Sequence, residues 1–316
     1  PKGHSRLSCP ALNYDSLSAV VFPKDRPEAS PVSDMINASF PGQAAKIPLI
    51  FLHLPFLKEL YQMRKTVLIT GATSGIGEAV AEKFAESSDR LIITGRRKER
   101  LDELATHLKS TYGTEVLSLC FDVRERSEVE KYLGELPPDW RQIDILVNNA
   151  GLAVGLGHID EGDTDDWDRM IDTNVKGLLY VTRVISPMMV SRGSGHIFNI
   201  ASIAGKEVYE NGAVYCASKH AVDALSRGMR IDLLKHGIKV TNIAPGMVET
   251  EFSLVRFKGD ADRAAGVYTG LEPLTGEDIA GVIHYCATLP DHVCISDLVI
   301  TPKAQANATN TVRKNK

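Results

Sequence analysis

From residue 66 onward, short apolar runs alternate with longer stretches that show the spacing of amphipathic helices. Thr66–Thr70 and Arg90–Thr94 are two such runs, and both are apolar at every interior position. Continuously apolar strands indicate a parallel sheet that is covered on both faces. Predicted strands occupy 66–70, 90–94, 115–119, 143–147, 195–200, 238–243 and 297–300. Predicted helices occupy 76–87, 98–110, 127–135, 164–190, 213–236 and 276–288.

The regular alternation of strand and helix predicts an α/β fold, with one doubly wound parallel sheet in a single domain. The sequence contains no internal repeat. Pro187 predicts an interruption of helix 164–190, because proline lacks the N–H that a helix interior needs. The stretch between strand 238–243 and helix 276–288 is predicted to be irregular.

The two ends of the chain lie outside this pattern. Residues 1–62 are rich in Pro and Ser and show no periodicity that could bury a core, so we expect a non-native or disordered extension. Met63 is the expected natural start, and residues 63–306 form the expected folded domain. Residues 307–316 are expected to be a flexible tail.

Composition narrows the class of protein. The 316 residues carry a net charge of −4, which argues against a nucleic-acid binder. The apolar run 47–57 contains Pro48 and Pro55 and is too short to cross a bilayer, so we expect no membrane association. Five cysteines without a CxxC pair indicate reduced thiols and a cytoplasmic location. The histidines show no HExxH motif, so a metal site has no support.

A glycine-rich turn joins the first predicted strand to the first predicted helix. Such a turn lets the backbone approach a pyrophosphate, and the helix N-terminus presents unpaired N–H groups and the positive end of the helix dipole. The alternative is a tight turn without a ligand, which the strand–turn–helix context disfavours. The predicted dinucleotide-binding residues in the turn are Gly71, Ala72, Thr73, Ser74, Gly75, Ile76 and Gly77.

The end of the second strand indicates which dinucleotide binds. Folds that bind NAD place an acid about twenty residues after the glycine turn, where it accepts a hydrogen bond from the ribose 2′-OH. This chain has Arg96 and Arg97 there. Guanidinium groups hold a 2′-phosphate through charge-assisted hydrogen bonds, so the pair favours NADP over NAD. The alternative is that both arginines are solvated surface charges.

Polar and small residues follow the third and fourth strands. Asp122 and Val123 end the third strand, where a carboxylate can accept from the adenine amino group. Asn149, Ala150 and Gly151 follow the fourth, where small residues leave room for a cofactor that lies across the strand ends. The carboxyl ends of parallel strands are the usual place for such a ligand.

A tyrosine and a lysine one helical turn apart carry the candidate chemistry. Tyr215 and Lys219 share one face of a predicted helix. A nearby ammonium favours the phenolate and lowers the tyrosine pKa, which makes Tyr215 a general base for an alcohol. Ser202 ends the fifth strand and can meet the phenol over the nicotinamide, although a serine there could simply form a turn. Tyr61 and Lys65 have the same spacing, but no strand or serine precedes them.

Together these motifs resemble those of the short-chain dehydrogenases/reductases. The resemblance runs from Met63 onward, makes 63–306 the catalytic domain, and implies a Rossmann-like sheet of seven strands. It also implies a homotetramer or homodimer that acts on a small molecule. The motifs that carry it are Thr70-Gly71-x-x-x-Gly75-Ile76-Gly77, Asn148–Gly151, Asn174, Ser202, Tyr215-x-x-x-Lys219 and Pro245-Gly246.

The family resemblance implies a role for each of these residues. Tyr215 would be the acid/base, and Lys219 would hold the nicotinamide ribose and lower the Tyr215 pKa. Ser202 would orient the substrate, and Asn174 would anchor a proton-relay water. The segment 245–253 would line the nicotinamide, with contacts from Pro245, Gly246, Val248 and Thr250.

A narrower resemblance, to the NADP-dependent 3-hydroxy acid dehydrogenases, depends chiefly on segment 248–260, which lies where this fold varies most. It implies oxidation of L-serine, L-allo-threonine or 3-hydroxypropionate, or reduction of 3-oxo acids such as malonic semialdehyde. A hydroxy acid substrate needs a cation for its carboxylate, and Arg256 and Lys258 are the candidates. The alternative is that these two cations belong to a solvated charge run.

The sequence motifs also allow two other kinds of function. A 3-oxoacyl thioester reductase or a general carbonyl reductase would use the same scaffold, although segment 248–260 argues against both. A non-catalytic NADP-binding sensor would keep the glycine turn, but it would not need Ser202, Tyr215 and Lys219 together. Substrate assays separate these readings.

Overall fold

The structure is a computed structural model, and it describes residues 64–314. The predicted extension over 1–62 and the expected start at Met63 lie outside the described residues.

One parallel sheet organises the described chain. Its seven strands follow the order β3-β2-β1-β4-β5-β6-β7, which confirms the predicted doubly wound sheet. The order changes direction between β1 and β4, and a crevice at the carboxyl ends of the strands is expected at such a point. The strands are β1 (Thr66–Thr70), β2 (Arg90–Gly95), β3 (Val116–Cys120), β4 (Ile145–Asn148), β5 (Gly195–Ile200), β6 (Ile238–Pro245) and β7 (Asp297–Ile300).

Helices connect the strands and cover both faces of the sheet. The first three are α1 (Gly75–Glu86), α2 (Lys98–Tyr112) and α3 (Arg126–Gly134). The next three are α4 (Thr164–Ile171), α5 (Leu178–Arg192) and α6 (Ala213–Leu233). The last three are α7 (Phe252–Arg256), α8 (Ala261–Gly266) and α9 (Gly276–Thr288).

The central strand β1 shows how the apolar pattern builds two cores. Val67 and Ile69 pack into a cluster with residues of α1, α2 and α9, whereas Leu68 packs into a second cluster with residues of α3 and α5. Side chains alternate between the two faces of a strand, so a continuously apolar strand supplies both clusters.

The predicted interruption at Pro187 is wrong, because Pro187 lies inside α5. A proline at this position frees the carbonyl of Arg183, and both residues are exposed, so water can bind that carbonyl. The irregularity lies earlier, where a π-helical turn, Asp172–Gly177, separates α4 from α5. This turn contains Asn174.

Two regions near the C-terminus form structure or contacts that the sequence pattern does not predict. The stretch predicted to be irregular contains the short helices α7 and α8. After residue 306, where we expected a flexible tail, Thr311 pairs with Gln305 and the Lys314 N–H donates to the Gly270 carbonyl at 2.7 Å. These bonds tie residues 307–314 to the segment between α8 and α9.

Candidate active site

A cavity of about 480 Å³ lies at the carboxyl ends of strands β1 to β6. Of the predicted site residues, those in its wall are Gly71, Thr73, Ser74, Gly75, Ile76, Arg96, Arg97, Asp122, Val123, Asn149, Ala150, Gly151, Ser202, Tyr215, Lys219, Pro245, Gly246, Val248, Thr250 and Arg256. Four other predicted residues, Ala72, Gly77, Asn174 and Lys258, are not part of the wall.

The glycine turn forms one end of the cavity. Gly71 and Gly75 have φ values of +67° and +58°, a region that glycine enters without steric cost. A Cβ atom on Gly77 would lie 2.3 Å from the Gly71 carbonyl oxygen, so only glycine fits there. The side chain of Asn149 braces the turn, since its Nδ2 donates to the carbonyls of Thr70 and Gly71 at 2.9 and 3.0 Å.

The N-terminus of α1 opens into the same end. Ser74 is the N-cap residue, but its side chain does not cap the helix. Its hydroxyl instead accepts a hydrogen bond from Arg97 at 2.8 Å. The first N–H groups of α1 are therefore available to an anion, as a dinucleotide pyrophosphate requires.

The two arginines after β2 differ in how they are held. Arg97 donates to the Thr73 hydroxyl and carbonyl and forms an ion pair with Glu251 at 2.8 Å. Glu251 also binds Arg100 at 2.6 Å, so both of its oxygens hold a guanidinium. Arg96 is more exposed, and its Nη1 lies 3.7 Å from Asp122. A cationic edge thus faces the cavity next to the glycine turn.

Asp122 is already engaged by a neighbouring side chain. Its carboxylate accepts two hydrogen bonds from the Arg124 guanidinium and one from the Arg124 N–H. Burial alone would raise the pKa of Asp122, but the bonds from Arg124 outweigh it and hold the pKa below its ordinary value. The predicted contact between this carboxylate and adenine stays a prediction.

Ser202, Tyr215 and Lys219 meet at the other end of the cavity. Ser202 follows β5, and its Oγ lies 3.4 Å from the Pro245 carbonyl and accepts from the Ala204 N–H. Tyr215 is in the first turn of α6 and Lys219 follows one turn later, and both side chains are buried. The Lys219 ammonium lies 6.0 Å from the Tyr215 ring centroid.

The electrostatics of this cluster differ from the expectation for Tyr215. Burial raises the pKa of the phenol, and the hydrogen bond with Ser202 and the charge of Arg256 lower it only in part. Burial also lowers the pKa of Lys219 to about 8. In the protein alone, removal from water therefore outweighs the predicted lowering of the Tyr215 pKa by Lys219.

Asn174 lies behind the cavity wall. Its side chain exchanges two hydrogen bonds with the backbone of Leu152, each of 2.8 Å, and donates to Ser218 at 3.0 Å. A Cβ atom on Gly151 would lie 3.2 Å from the Asn174 oxygen and 3.4 Å from the Lys219 ammonium. Asn174 is thus close to Lys219, and its role with a relay water stays a prediction.

The two cations predicted for the substrate carboxylate separate. Arg256 enters the cavity, where its Nη2 donates to the Tyr209 hydroxyl at 3.0 Å. Its Cζ lies 5.7 Å from the Tyr215 ring centroid. Lys258 instead forms ion pairs with Asp166 at 2.7 Å and with Asp163 at 3.3 Å. Two carboxylates thus neutralise Lys258 outside the cavity.

Several aromatic residues of the wall were not predicted. The Tyr209 ring packs against Gly212, where a Cβ atom would lie 2.1 Å from the ring. Phe252 approaches Tyr215 with 5.7 Å between ring centroids, and Tyr268 donates to the Val248 carbonyl. None of these residues belongs to a motif with fixed spacing. Their only signal was proximity in sequence to Tyr215 or to segment 248–260.

The described residues contain neither a candidate membrane-spanning helix nor a candidate metal site. Between residues 64 and 314, no helix is both long and apolar enough to cross a membrane. In the same range, no three His, Cys, Asp or Glu side chains form a group that could hold a metal ion.

Several known proteins are similar to this sequence over most of its length. The family model for short chain dehydrogenases matches residues 65–259. The NADP-dependent 3-hydroxy acid dehydrogenase YdfG of Salmonella typhi is 46% identical over 250 residues, which cover 79% of this chain and 99% of that protein. Sulfoacetaldehyde reductase 2 of Chromohalobacter salexigens is 45% identical over 245 residues, which cover 77% and 96%.

Solved structures share the fold. The closed form of a serine dehydrogenase complexed with NADP+ is 45% identical and has a TM-score of 0.74, over 79% of this chain and all 100% of that one. The serine dehydrogenase of Escherichia coli is 41% identical with a TM-score of 0.66, over 76% and 99%. The family model spans more than half of the sequence, and the motifs it shares surround one cavity, so this chain belongs to the short-chain dehydrogenase family.

Proposed function

We propose that this chain is an NADP-dependent oxidoreductase that oxidises the 3-hydroxyl of small 3-hydroxy acids or reduces the matching 3-oxo acids. L-Serine, L-allo-threonine and 3-hydroxypropionate are the expected alcohols, and malonic semialdehyde is an expected 3-oxo acid. One observation carries the proposal: Arg256 places a guanidinium beside Tyr215, and its buried Nε has no hydrogen-bond partner among the described residues. A buried unpaired donor of this kind suits a substrate carboxylate.

The residues around the cavity fit NADP. The glycine turn and the uncapped N-terminus of α1 suit a pyrophosphate, and Arg96 and Arg97 suit a 2′-phosphate. The relatives named as NADP-dependent and the neighbour complexed with NADP+ support the same cofactor. When bound, the cofactor supplies the acceptor or donor for a hydride at C3 of the substrate.

Tyr215 handles the proton of the reacting hydroxyl. In the reducing direction its raised pKa keeps the phenol protonated, so it can donate to the developing alkoxide. In the oxidising direction the phenolate is required, and the charge of Arg256 and the hydrogen bond of Ser202 favour that form. Ser202 can also hold the reacting oxygen, because it lines the same cavity.

Arg256 orients the acid. With the carboxylate on the guanidinium, C3 of a three-carbon acid is brought toward the Tyr215 hydroxyl, so a small 3-hydroxy acid fits better than a larger substrate. Loss of the carboxylate from an oxidised serine is the spontaneous chemistry of a β-keto acid and needs no further residue. A sulfonate, the group that the name of one relative implies, would meet the same guanidinium.

The same-class alternative is a reductase for 3-oxoacyl thioesters or for carbonyl compounds in general. A thioester has no carboxylate next to its 3-oxo group, so the buried Nε of Arg256 would be left without a hydrogen-bond partner, which is costly. We also propose a cytoplasmic location, from the unpaired cysteines, and a homotetramer or homodimer, from the family resemblance.

A substrate comparison tests the function. NADP+ reduction is followed with L-serine, L-allo-threonine and 3-hydroxypropionate, beside NADPH oxidation with an acetoacetyl thioester. Activity with the hydroxy acids is the expected result. Activity with the thioester alone would contradict the proposal, and tight NADP binding without activity on any substrate would favour a sensor.

A variant of Arg256 tests the carboxylate site directly. Arg256→Met should raise KM for 3-hydroxypropionate by about 10- to 100-fold, the worth of a hydrogen bond to a charged group. KM for the neutral 3-hydroxypropanamide should stay within about twofold, because the amide lacks the charge that the guanidinium binds. Arg126→Met, which breaks an exposed ion pair on α3, is the matched control. Equal effects on acid and amide would exclude this role for Arg256.

A further inference from the structure

Lys258 lies two residues after Arg256 and has an unusual backbone conformation. Its φ is +53°, the left-handed region that non-glycine residues rarely adopt. Such a conformation is unfavourable for a residue that has a Cβ atom, and it persists only where surrounding contacts impose it. The backbone contacts here are the bonds that close the end of α7, because the Lys258 N–H donates to the Val255 carbonyl at 3.1 Å and the Gly259 N–H donates to the Leu254 carbonyl at 2.9 Å. The Lys258 ammonium, in turn, forms ion pairs with Asp166 and Asp163.

Both carboxylates are carried by the start of α4. Asp163 is the N-cap residue of α4 and accepts from the Asp165 N–H at 3.0 Å. The Asp166 side chain is only 7% exposed, so its pair with Lys258 is shielded from solvent on one side. Arg169 also faces Asp166, but its Nη1 lies 3.8 Å from the carboxylate, whereas the Lys258 ammonium lies 2.7 Å from it. Lys258 is therefore the main partner of Asp166.

A second tie joins the same two segments. The Gly155 N–H donates to the Arg256 carbonyl at 3.1 Å. A Cβ atom on Gly155 would lie 2.7 Å from an Asp166 oxygen, so the carboxylate packs directly against this glycine. Asp166 therefore contacts both the ammonium of Lys258 and the loop that holds the backbone of Arg256.

We infer that Lys258, Asp163 and Asp166 form a clamp that positions Arg256 over the substrate and thereby sets the affinity for the substrate carboxylate. Lys258 is then a positioning residue that touches neither substrate nor cofactor. A second cavity of about 310 Å³ borders the clamp, and its wall includes Tyr215 and Arg256. Without the clamp, the end of α7 has room to move into that space, and the guanidinium leaves its place above the Tyr215 ring.

This inference rests on the proposed function, because it concerns the residue that binds the carboxylate. Loss of the clamp should weaken binding of the acid and leave the chemical step intact, because Tyr215, Ser202 and Lys219 lie on other elements. The expected signature is a higher KM at a nearly unchanged kcat. A general loosening of the site would instead lower kcat and would act on charged and neutral substrates alike.

Lys258→Met tests the clamp. KM for 3-hydroxypropionate should rise about tenfold, because a binding group that is misplaced by about 1 Å can cost up to about 100-fold. KM for 3-hydroxypropanamide, KM for NADP+ and both kcat values should stay within about twofold. Lys83→Met, which breaks an exposed ion pair on α1, is the matched control and should change none of these values.

Two further variants test the clamp independently if Lys258→Met does not fold. Lys258→Arg keeps the charge and should recover most of the affinity for the acid. Asp166→Asn should raise KM for the acid as Lys258→Met does. In the double variant Lys258→Met/Asp166→Asn the two effects should not multiply, because each removes the same ion pair.

The outcomes separate the clamp from the proposed function. An unchanged KM for the acid in Lys258→Met and Asp166→Asn, with a raised KM in Arg256→Met, would overturn the clamp alone. An equal rise for acid and amide, or a fall in kcat at constant KM, would overturn it as well. If Arg256→Met itself does not distinguish acid from amide, the proposed function fails first.

Discussion

Lys219 is a charged side chain in a place where charge is costly. Its ammonium is buried and donates to the Ile200 carbonyl at 2.8 Å. Burial lowers its pKa to about 8, so below pH 8 the folded protein holds a poorly solvated cation that the unfolded chain would leave in water. The resulting loss of stability is complete below pH 8 and disappears as the pH rises toward the ordinary value of 10.5.

Lys219→Met should therefore stabilise the protein and abolish its activity. The shift in pKa corresponds to about 3 kcal/mol, and the lost hydrogen bond to Ile200 offsets about 1–2 of these, which leaves a net gain of about 1–2 kcal/mol at pH 7. Urea unfolding at pH 7 and pH 10 measures the gain, which should shrink at the higher pH. A variant that is less stable than the wild type at pH 7 would show that Lys219 is not strained by burial.

Arg97 should decide between the two dinucleotides. Arg97→Ala removes the guanidinium that Thr73, Ser74 and Glu251 hold at the edge of the cavity. We expect the ratio of kcat/KM with NADP to kcat/KM with NAD to fall about 10- to 100-fold, the worth of hydrogen bonds to a charged group. The exposed Arg126→Ala is the control, and an unchanged ratio in Arg97→Ala would place the 2′-phosphate elsewhere.

At the residue scale, the site residues that could be predicted from the sequence are those with a fixed spacing or a fixed place at a strand end. Tyr215 and Lys219 were predictable because their spacing places them on one helix face, and Arg96 and Arg97 because they end a strand. Lys258 was not distinguishable from Arg256, since both are cations of one segment and only tertiary packing places Lys258 against Asp166. Tyr209 is fixed by its contact with Gly212, which no spacing encodes.

The glycine turn connects β1 to α1, and its glycines permit a close approach of the two elements. Gly77→Ala should disrupt it, because the new Cβ would lie within 2.3 Å of the Gly71 carbonyl and within 2.4 Å of the Asn149 amide. Strain of this kind costs about 1–3 kcal/mol or more, so both stability and NADP affinity should fall. Thermal unfolding and NADP titration measure the two effects.

The matched control is Gly134→Ala at the end of α3. A Cβ atom there meets nothing within 4 Å, so this variant should be neutral or slightly more stable and should bind NADP as the wild type does. If both glycine variants behave alike, the close contact of Gly77 with the Gly71 carbonyl contributes neither to stability nor to NADP binding.

At the element scale, strands were more predictable than the breaks in helices. The predicted strand bounds lie within about two residues of those in the structure, because a strand buried on both faces has an unmistakable apolar run. The π-helical turn at Asp172–Gly177 left no such trace, and Pro187 indicated a break that its exposed position made unnecessary. The π-helical turn matters because it holds Asn174 near Lys219.

Two buried titratable groups lie near the amino ends of the strands, on the side of the sheet away from the cavity, which is at the carboxyl ends. His196 is neutral, because burial, with smaller effects from Lys239 and Lys65, lowers its pKa to about 3. Asp89 accepts from the Lys65 N–H, and burial raises its pKa to about 6. As the pH falls from 6 to 4, His196 destabilises the fold because the unfolded chain takes up the proton, whereas Asp89 stabilises it because the folded chain does.

Because His196 and Asp89 change the stability in opposite directions as the pH falls, Asp89→Asn should alter how the stability of the whole molecule depends on pH. At pH 7.5 the wild type holds a buried carboxylate, so the variant should be more stable by about 2–3 kcal/mol. The advantage should shrink as the pH falls from 6 to 4 and should vanish below about pH 3, where Asp89 is protonated in both states. Because the variant lacks the opposing effect of Asp89, the titration of His196 should make it less stable with each step from pH 6 to pH 4. Denaturant unfolding across this range measures both curves, with the exposed Asp102→Asn as control. Parallel curves for wild type and Asp89→Asn would mean that Asp89 titrates as it does in the unfolded chain, and the burial of its carboxylate would then carry no energetic cost.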